Sequence, residues 1–362
     1  GFAEERISRK GIFAAMFENK NNRTELSSIG EFGLIRHISE NVKLTQAGSL
    51  KGIGDDAAVV NNGSGHTVLT TDMLTEGVHF DLTYTPLKHL GYKAVVVNIS
   101  DICAMNAQPT QILCALAMSN RFSLEAVEEL MSGMLLACER YGVDLVGGDT
   151  CASAGGLTIS ITAVGQAAGE DIVYRDGAKV NDLICVTGDV GAAYMGLQLL
   201  NREKKIFLEN PGVQPELHGY DYLLERQLKP EARLDIIQRF KTWYIRPNSM
   251  IDISDGVASE VMHLCKQSNT GCQLYEEKLP IDHLTSELGI ELGLDPSVAA
   301  LNGGEDYELL FTLPLSEYEK IKDRAEISII GHMTEPEAGY RFIDRQQNVH
   351  ELKAQGWDAF RH

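Results

Sequence analysis

Carboxylates beside glycines recur along this chain: Gly54-Asp55-Asp56, Thr70-Thr71-Asp72, Asn98-Ile99-Ser100-Asp101, Gly147-Gly148-Asp149-Thr150 and Asp252-Ile253-Ser254-Asp255-Gly256, with Gly303-Gly304-Glu305-Asp306 as a variant. A single Gly-Asp pair is a turn signal, because Asp bonds its own backbone and Gly accepts positive φ. A series of them, most at the end of an apolar run or at a helix start, is a different pattern. Mg²⁺ takes oxygen ligands, keeps several waters and is usually shared with substrate phosphates, so it draws one or two carboxylates from each of several segments. Phosphoryl transfer needs that arrangement, since metal ions neutralise the spread oxygens and hold donor and acceptor in line. Neither a G-x-x-x-x-G-K-[S/T] loop nor a protein-kinase motif set occurs, so phosphate handling is expected to rest on metal. Asp56, Asp72, Asp101 and Asp149 are the expected Mg²⁺ ligands, direct or through water, with Asp252 and Asp255 closing from the second half. The Ser254 amide and hydroxyl, at a helix start, are expected to meet a phosphate oxygen.

The elements that must carry these residues can be read from periodicity. Ala57 to Val60 followed by Asn61-Asn62-Gly63 reads as a strand and hairpin turn, and His66 to Asp72 as the returning strand. Between Pro86 and Met105, Leu90, Ala94, Val97 and Ile102 keep helical period, which sets Asn98 and Asp101 on one face. Ile112 to Met118 is an expected buried strand. Ser123 caps an expected helix with a stripe of Leu124, Val127, Leu130, Met131, Met134, Leu135 and Cys138. Val143 to Val146 should run as a strand into Gly147-Gly148-Asp149-Thr150, and Leu157 to Ala163 alternates as a half-buried antiparallel strand does. The order β-β-α-β-α-β-β predicts helices on one face of a mainly antiparallel sheet. The second half restarts at Asp182 with a strand, then a helix from Ala192 to Leu200. Residues 201–228 read as an insertion or exposed helical excursion. Helices are expected from Pro230 and after Ser254, with strands near 272–275, 307–313, 327–331 and 340–343. The fold class is therefore α+β, in two α/β-layer domains: an extension over 1–28 with a short helix and a loose connection, a metal-binding N-terminal domain over 29–166 whose other sheet face is left for another element or a partner subunit, and a C-terminal α+β domain over 167–362.

Composition bounds the partners. A formal charge of −19 on 362 residues argues against a nucleic-acid surface, and no apolar run approaches a membrane span. The seven cysteines form no C-x-x-C pair, and several lie in apolar runs. Buried reduced thiols in a cytoplasmic protein are expected rather than a disulfide or zinc site.

The ordered motifs resemble the thiamine-monophosphate kinases: Gly52 to Ala58, Thr70 to Leu74 with Glu76 to Phe80, Lys93 to Ala107, Gly147 to Thr150, Asp252 to Gly256, Gly303 to Phe311 and the terminal Gly356-Trp357-Asp358-Ala359-Phe360. The resemblance runs from about residue 29 to 360. It implies ATP-dependent conversion of thiamine phosphate to thiamine diphosphate, on a fold shared with aminoimidazole ribonucleotide synthetase and selenophosphate synthetase. It also implies a homodimer whose N-terminal sheets form a barrel between subunits. By position it makes Asp56, Thr70, Thr71, Asp72, Asp101, Asp149, Asp252 and Asp255 metal-site residues, with several Mg²⁺ ions. Gly148, Asp149, Arg175 and Ser254 become ATP contacts, and His79, Glu305 and Trp357 substrate contacts. Plainer readings stand beside these: His79 as a packed core histidine, Trp357 as a lid on the core, Arg175 as a solvated turn residue. Since the acceptor is already a phosphate anion, no general base is expected. Asn106 departs from the family, which usually has Gly there. The alternative functions are a catalytically silent nucleotide and metal sensor, or another ATP-dependent enzyme of the same superfamily. The cysteines that selenophosphate synthetases and hydrogenase-maturation relatives need are missing, since the first cysteine is Cys103 and the chain ends Phe360-Arg361-His362.

Overall fold

A computed structural model describes residues 26–61, 63 and 65–355. The expected helix and loose connection before residue 26, Asn62 of the hairpin turn, and the terminal segment with Trp357 lie outside the described residues. Helix α1 (Leu26–Asn41) belongs to one compact unit and is broken at Gly30, where φ is 68°. The other unit, Leu44 to Trp357, carries both sheets.

The first sheet contains β1 (Ser49–Lys51), β2 (Ala58–Asn61), β3 (His66–Thr75), β4 (Gln108–Met118), β5 (Asp144–Ala152) and β6 (Leu157–Ala167), in the order β1-β2-β3-β6-β4-β5. All pairs are antiparallel except β4 with β5. Helix α2 (Leu87–Ala104) crosses from β3 to β4, and α3 (Leu124–Tyr141) from β4 to β5. Strand β6 alternates buried and half-buried from Leu157 to Gly165, so one face meets the helices, as its period requires. The Gly147-Gly148-Asp149-Thr150 motif lies inside β5 rather than beyond it, because Leu113 to Leu116 of β4 pair with it. Ser123 does cap α3, accepting from the Ala126 amide. The buried stripe of α3 is Leu130, Gly133, Met134, Ala137, Cys138 and Tyr141, whereas Leu124 and Leu135 are exposed. The expected stripe was too wide.

The second sheet contains β7 (Leu183–Thr187), β8 (Ser249–Asp252), β9 (Gly271–Tyr275), β10 (Leu309–Leu313), β11 (Ile327–Thr334), β12 (Tyr340–Ile343) and β13 (Val349–Glu351), in the order β13-β12-β9-β11-β7-β10-β8. Around it lie α4 (Ala192–Glu209), α5 (Asp221–Leu228), α6 (Leu234–Trp243), α7 (Val257–Ser268), α8 (His283–Leu292), α9 (Pro296–Asn302) and the short α10 (Tyr318–Ile321). Pro230 does not open α6. The stretch before it is occupied in tying down other helices: Glu231 accepts from the hydroxyls of Tyr92 and Tyr141, and the Ala232 amide donates to Tyr141 Oη. Residues 201–228 are helical as expected, in the second half of α4 and the whole of α5, with a largely exposed link over 210–220 between them, but the helices are not wholly exposed, since Glu203, Leu223 and Gln227 are buried.

One core runs from β3, β4 and β6 through α2 to Cys185, Met250, Leu309 and Phe311 of the second sheet. Helix α2 therefore has no solvent face over most of its length: 14 of its 18 residues are buried. A helix enclosed on all sides must be apolar all round, so the polar residues it does carry, Lys93, Asn98, Ser100 and Asp101, need partners.

Candidate active site

Those partners are the glycine-flanked acids. Asn98 accepts from the Asp72 amide at 3.0 Å and donates to the Ala94 carbonyl oxygen at 3.1 Å. Ser100 donates to Asp252 Oδ2 at 2.6 Å, and Thr70 donates to Asp101 Oδ2 at 2.6 Å. One turn of α2 thus pins the middle of β3 and the end of β8 to the same place. Carboxylate oxygens of Asp56, Asp101 and Asp252 lie within 4.8 Å of one another, with Asp72 close enough for its charge to act on Asp101. Burial and mutual repulsion hold these groups far from ordinary carboxylates. Asp252 is pushed up to about 8 by burial and then by Asp56, and Asp72 to about 6 by burial, with Asp56 adding to it. Asp101 rises well above the usual range through burial and then Asp72, Asp252 and Asp56. Clustered hard oxygens that repel one another suit a hard divalent cation such as Mg²⁺.

Arg175 supplies positive charge at the rim. Its guanidinium forks Asp56, with Nη2 at 2.8 Å from Oδ1 and Nε at 3.1 Å from Oδ2. Its amide donates to Asp55, which also meets Lys51 Nζ at 3.1 Å. Asp55 is held at about 6 by burial and by Asp56, partly offset by Lys51. Arg175 is a half-buried partner of the cluster, not a solvated turn residue.

The Asp252-to-Gly256 motif is braced from two directions. Ser254 sits two residues ahead of the Gly256 cap of α7, so its backbone precedes the helix rather than starting it. Buried Glu260 accepts from the Asp255 amide at 2.7 Å. From the other side, the Glu305 and Tyr307 amides donate to the Ser254 and Ile253 carbonyl oxygens at 2.7 and 2.9 Å. That clamp sets Gly304, Glu305 and Tyr307 at φ of 72°, 58° and 52°. Two non-glycine residues in the left-handed region within three positions are a strain that a surrounding network must hold.

Beyond this loop lies a more polar compartment. Glu305 Oε1 meets Lys93 Nζ at 2.9 Å, and Oε2 accepts from Gln227 Nε2 at 2.7 Å. Tyr84 is near enough that Glu305 and Asp81, after burial itself, help push its hydroxyl up to about 12. His79, in the same loop as Tyr84, is exposed and takes the Thr75 amide on Nδ1 at 3.0 Å. It is not a core histidine. Gln227 is fixed through its neighbour: Arg226 pairs with Glu308 at 2.9 Å, Arg233 meets the same carboxylate at 2.6 Å, and Thr187 donates to it at 2.6 Å.

Two expected metal residues lie elsewhere. Thr71 points to the other side of β3, donating to the Ile161 carbonyl oxygen at 3.0 Å. Asp149 is exposed on edge strand β5. The register passes from Asp72 to Ile161, to Cys114 and to Gly148, so at ~4.8 Å per strand Asp149 is roughly 14 Å from Asp72. Asp149 follows Gly148 and faces away from the helices. The sequence reading did not single out Lys93, Ser100, Gln227 or Glu260. A lysine inside an apolar helical run was the available signal for Lys93; for Gln227 there was none.

The chain matches the family described as AIR synthase related protein, N-terminal domain, over residues 54–167. It is 34% identical over 336 residues to the thiamine-monophosphate kinase of Aquifex aeolicus, covering 92% of this chain and 99% of that protein. The Bacillus subtilis thiamine-monophosphate kinase is 32% identical, with coverages of 91% and 99%. A solved structure described as AaThiL complexed with AMPPCP and TMP superposes with a TM-score of 0.79 at 33% identity, over 93% of this chain and 99% of that one.

Proposed function

The chain belongs to the thiamine-monophosphate kinase family, and from that premise we propose that it phosphorylates thiamine phosphate with ATP and Mg²⁺, by direct in-line transfer and without a general base. The observation that carries this reading is the convergence of Asp56 from the β1–β2 loop, Asp101 from α2 and Asp252 from β8 within 4.8 Å. A non-bridging oxygen of the thiamine phosphate attacks the γ-phosphorus of ATP, the bond to the β,γ-bridging oxygen breaks, and ADP leaves. The acceptor oxygen is already anionic, so no proton has to be removed.

Asp56, Asp72, Asp101 and Asp252 would hold the metal, with Asp255 beside them; bound there, Mg²⁺ neutralises charge on the transferring phosphoryl group. The chain's own contributions surround that centre. Asn98 and Ser100 aim two of the acids, and Arg175 offers a fork suited to a phosphate. Ser254, two residues after Asp252, turns its hydroxyl to Glu260 Oε1 at 3.5 Å and would meet a phosphate oxygen from there. Glu305 and His79 form the substrate side, with Trp357 assigned there by the family motif. Asp149 and Gly148 are proposed to serve ATP from a second subunit, since the strand register keeps Asp149 away from the cluster of its own chain. A homodimer joined through the outer face of the first sheet accounts for that face, where Met73 and Leu113 are exposed. Among the described residues no helix is long and apolar enough to cross a membrane, in keeping with a cytoplasmic enzyme.

The test is incubation with ATP, Mg²⁺ and thiamine phosphate. Thiamine diphosphate and ADP in equal amounts are the expected products; ATP turnover onto another phosphate acceptor with no thiamine diphosphate would overturn the substrate and leave the scaffold.

A further inference from the structure

The compartment around Glu305 holds two buried polar side chains that metal and phosphate chemistry do not use. Lys93, 4% exposed, comes from α2 and places Nζ 2.9 Å from Glu305 Oε1 and 3.0 Å from the Gln227 backbone carbonyl oxygen. Gln227, 5% exposed, ends α5 and donates through Nε2 to Glu305 Oε2 at 2.7 Å. Its carboxamide oxygen Oε1 is buried and has no hydrogen-bond partner among the described residues. Buried acceptors are nearly always paired, and one that is not calls for a reason, such as strain or an absent ligand.

The amide orientation follows from its neighbours. Turning the carboxamide over would set its oxygen against a Glu305 oxygen, so Nε2 must face Glu305 and Oε1 must face away. Each Glu305 oxygen already takes one donor and keeps a lone pair. The outcome is a carboxylate and a neutral acceptor side by side, with Lys93 behind them fixing both partners. Two adjacent acceptors complement a group with two N–H bonds, and the carboxylate adds attraction for a cationic ring system. A ligand with an amino group on one heteroaromatic ring and a permanent positive charge on a second, linked ring has both properties.

We propose that Gln227 is a substrate-binding residue and Lys93 a positioning residue, which together with Glu305 select the amino group on the pyrimidine ring of thiamine phosphate. The proposal rests on the thiamine-phosphate reading above and goes further by assigning a discriminating acceptor that the sequence motifs do not contain. It also gives α5 a function: the buried Arg226–Glu308 pair anchors the turn that presents Gln227.

The experiment is steady-state kinetics with thiamine phosphate and with an analogue carrying hydrogen in place of the pyrimidine amino group. Wild type is expected to favour thiamine phosphate by about 100-fold in kcat/KM, the loss typical of leaving charged and neutral acceptors unpaired. Gln227→Leu should raise KM for thiamine phosphate about 10-fold, leave KM for ATP within about twofold, and cut discrimination to about 10-fold. Lys93→Met should act in the same direction, and Lys93→Arg should recover part of the loss. Where Lys93→Met does not fold, the uncharged Gln227→Leu change and the wild-type comparison decide alone. Unchanged discrimination in Gln227→Leu, or an equal rise in both KM values, overturns the proposal. A wild type that uses both substrates equally well also overturns it while leaving the kinase reading intact; a wild type that uses neither overturns both.

Discussion

At the scale of residues, the acids that suit this site to a cation burden the protein when no cation is there. Asp101 is buried among Asp72, Asp252 and Asp56, and each raises the cost of its charge. Asp101→Asn is therefore expected to separate stability from activity. In EDTA at pH 8 the variant should be more stable than wild type, because the charge that burial and the neighbouring carboxylates oppose is gone. Its turnover should fall on the order of 100-fold or more, because a metal-site charge is gone. Thermal melting in EDTA beside kcat measures both, and a variant less stable than wild type but fully active would refute the assignment. His263 of α7 carries a second prediction. Burial, then Arg175 and Lys266, hold its imidazole down at about 4 against an ordinary 6.5. A depressed histidine gives stability that is fully present above 6.5 and is lost as pH falls towards 4, since the unfolded chain takes up the proton first. Replacing it by Gln removes that dependence, so the stability of wild type relative to His263→Gln should drop by about 2 kcal/mol between pH 8 and pH 5. Urea titrations at the two pH values check this, and an unchanged difference would mean that His263 titrates normally in the fold.

At the scale of elements, the site depends on how closely α2 and α3 cross. A Cβ on Gly91 would stand 2.0 Å from the Leu130 carbonyl oxygen, and one on Gly133 would stand 1.8 Å from that of Lys88. Neither glycine touches a site residue, yet α2 carries Asn98, Ser100 and Asp101, and any retreat of the helix moves all three. Gly133→Ala should destabilise by about 3 kcal/mol through overpacking and lower kcat without a selective change in either KM. Urea unfolding and kinetics together check it; a variant with wild-type stability would show that the crossing can relax. The same elements show what a sequence can disclose. Strand β6 was legible because one face is buried and the other is not, so its period of two is written in the residues. The helical period of α2 was legible too, but not its enclosure on both sides, which is set by a second sheet far along the chain. Strand β8 has only four residues, all buried, and so short a run has no readable period. Helices α8 and α9 left signals that could have found them: Asp282 and Asp295 cap them, and Pro296 stands in the first turn of α9. The metal-side acids could be read because Asp beside Gly is a visible pattern. Gln227 could not, because nothing local marks a glutamine whose meaning comes from Glu305, 78 positions away.

At the scale of the whole molecule, the proposed dimer has a consequence that distinguishes it from mere association. If Asp149 reached the cluster of its own chain, an Asp72→Asn subunit and an Asp149→Asn subunit would each be dead, and so would every mixed dimer of the two. If Asp149 is supplied across the interface, a mixed dimer has one site with both substitutions and one with neither. Random reassortment makes half of the dimers mixed, and half of the sites in those are intact. Mixing the two inactive variants, with mild denaturation and refolding to exchange subunits, should therefore restore about a quarter of wild-type turnover. The protein should also sediment at twice the 39.8 kDa of the chain. Met73→Glu together with Leu113→Glu, on the exposed outer face of β3 and β4, should halve that mass and abolish turnover while each chain keeps its melting transition, because like charges would face each other in a dry interface. No recovery on mixing the two inactive variants, from a preparation that sediments as a dimer, would place Asp149 in the site of its own chain; an Asp149→Asn variant that keeps full turnover would put it outside the active site altogether. Its exposed position on edge strand β5 would then be that of an ordinary solvated carboxylate.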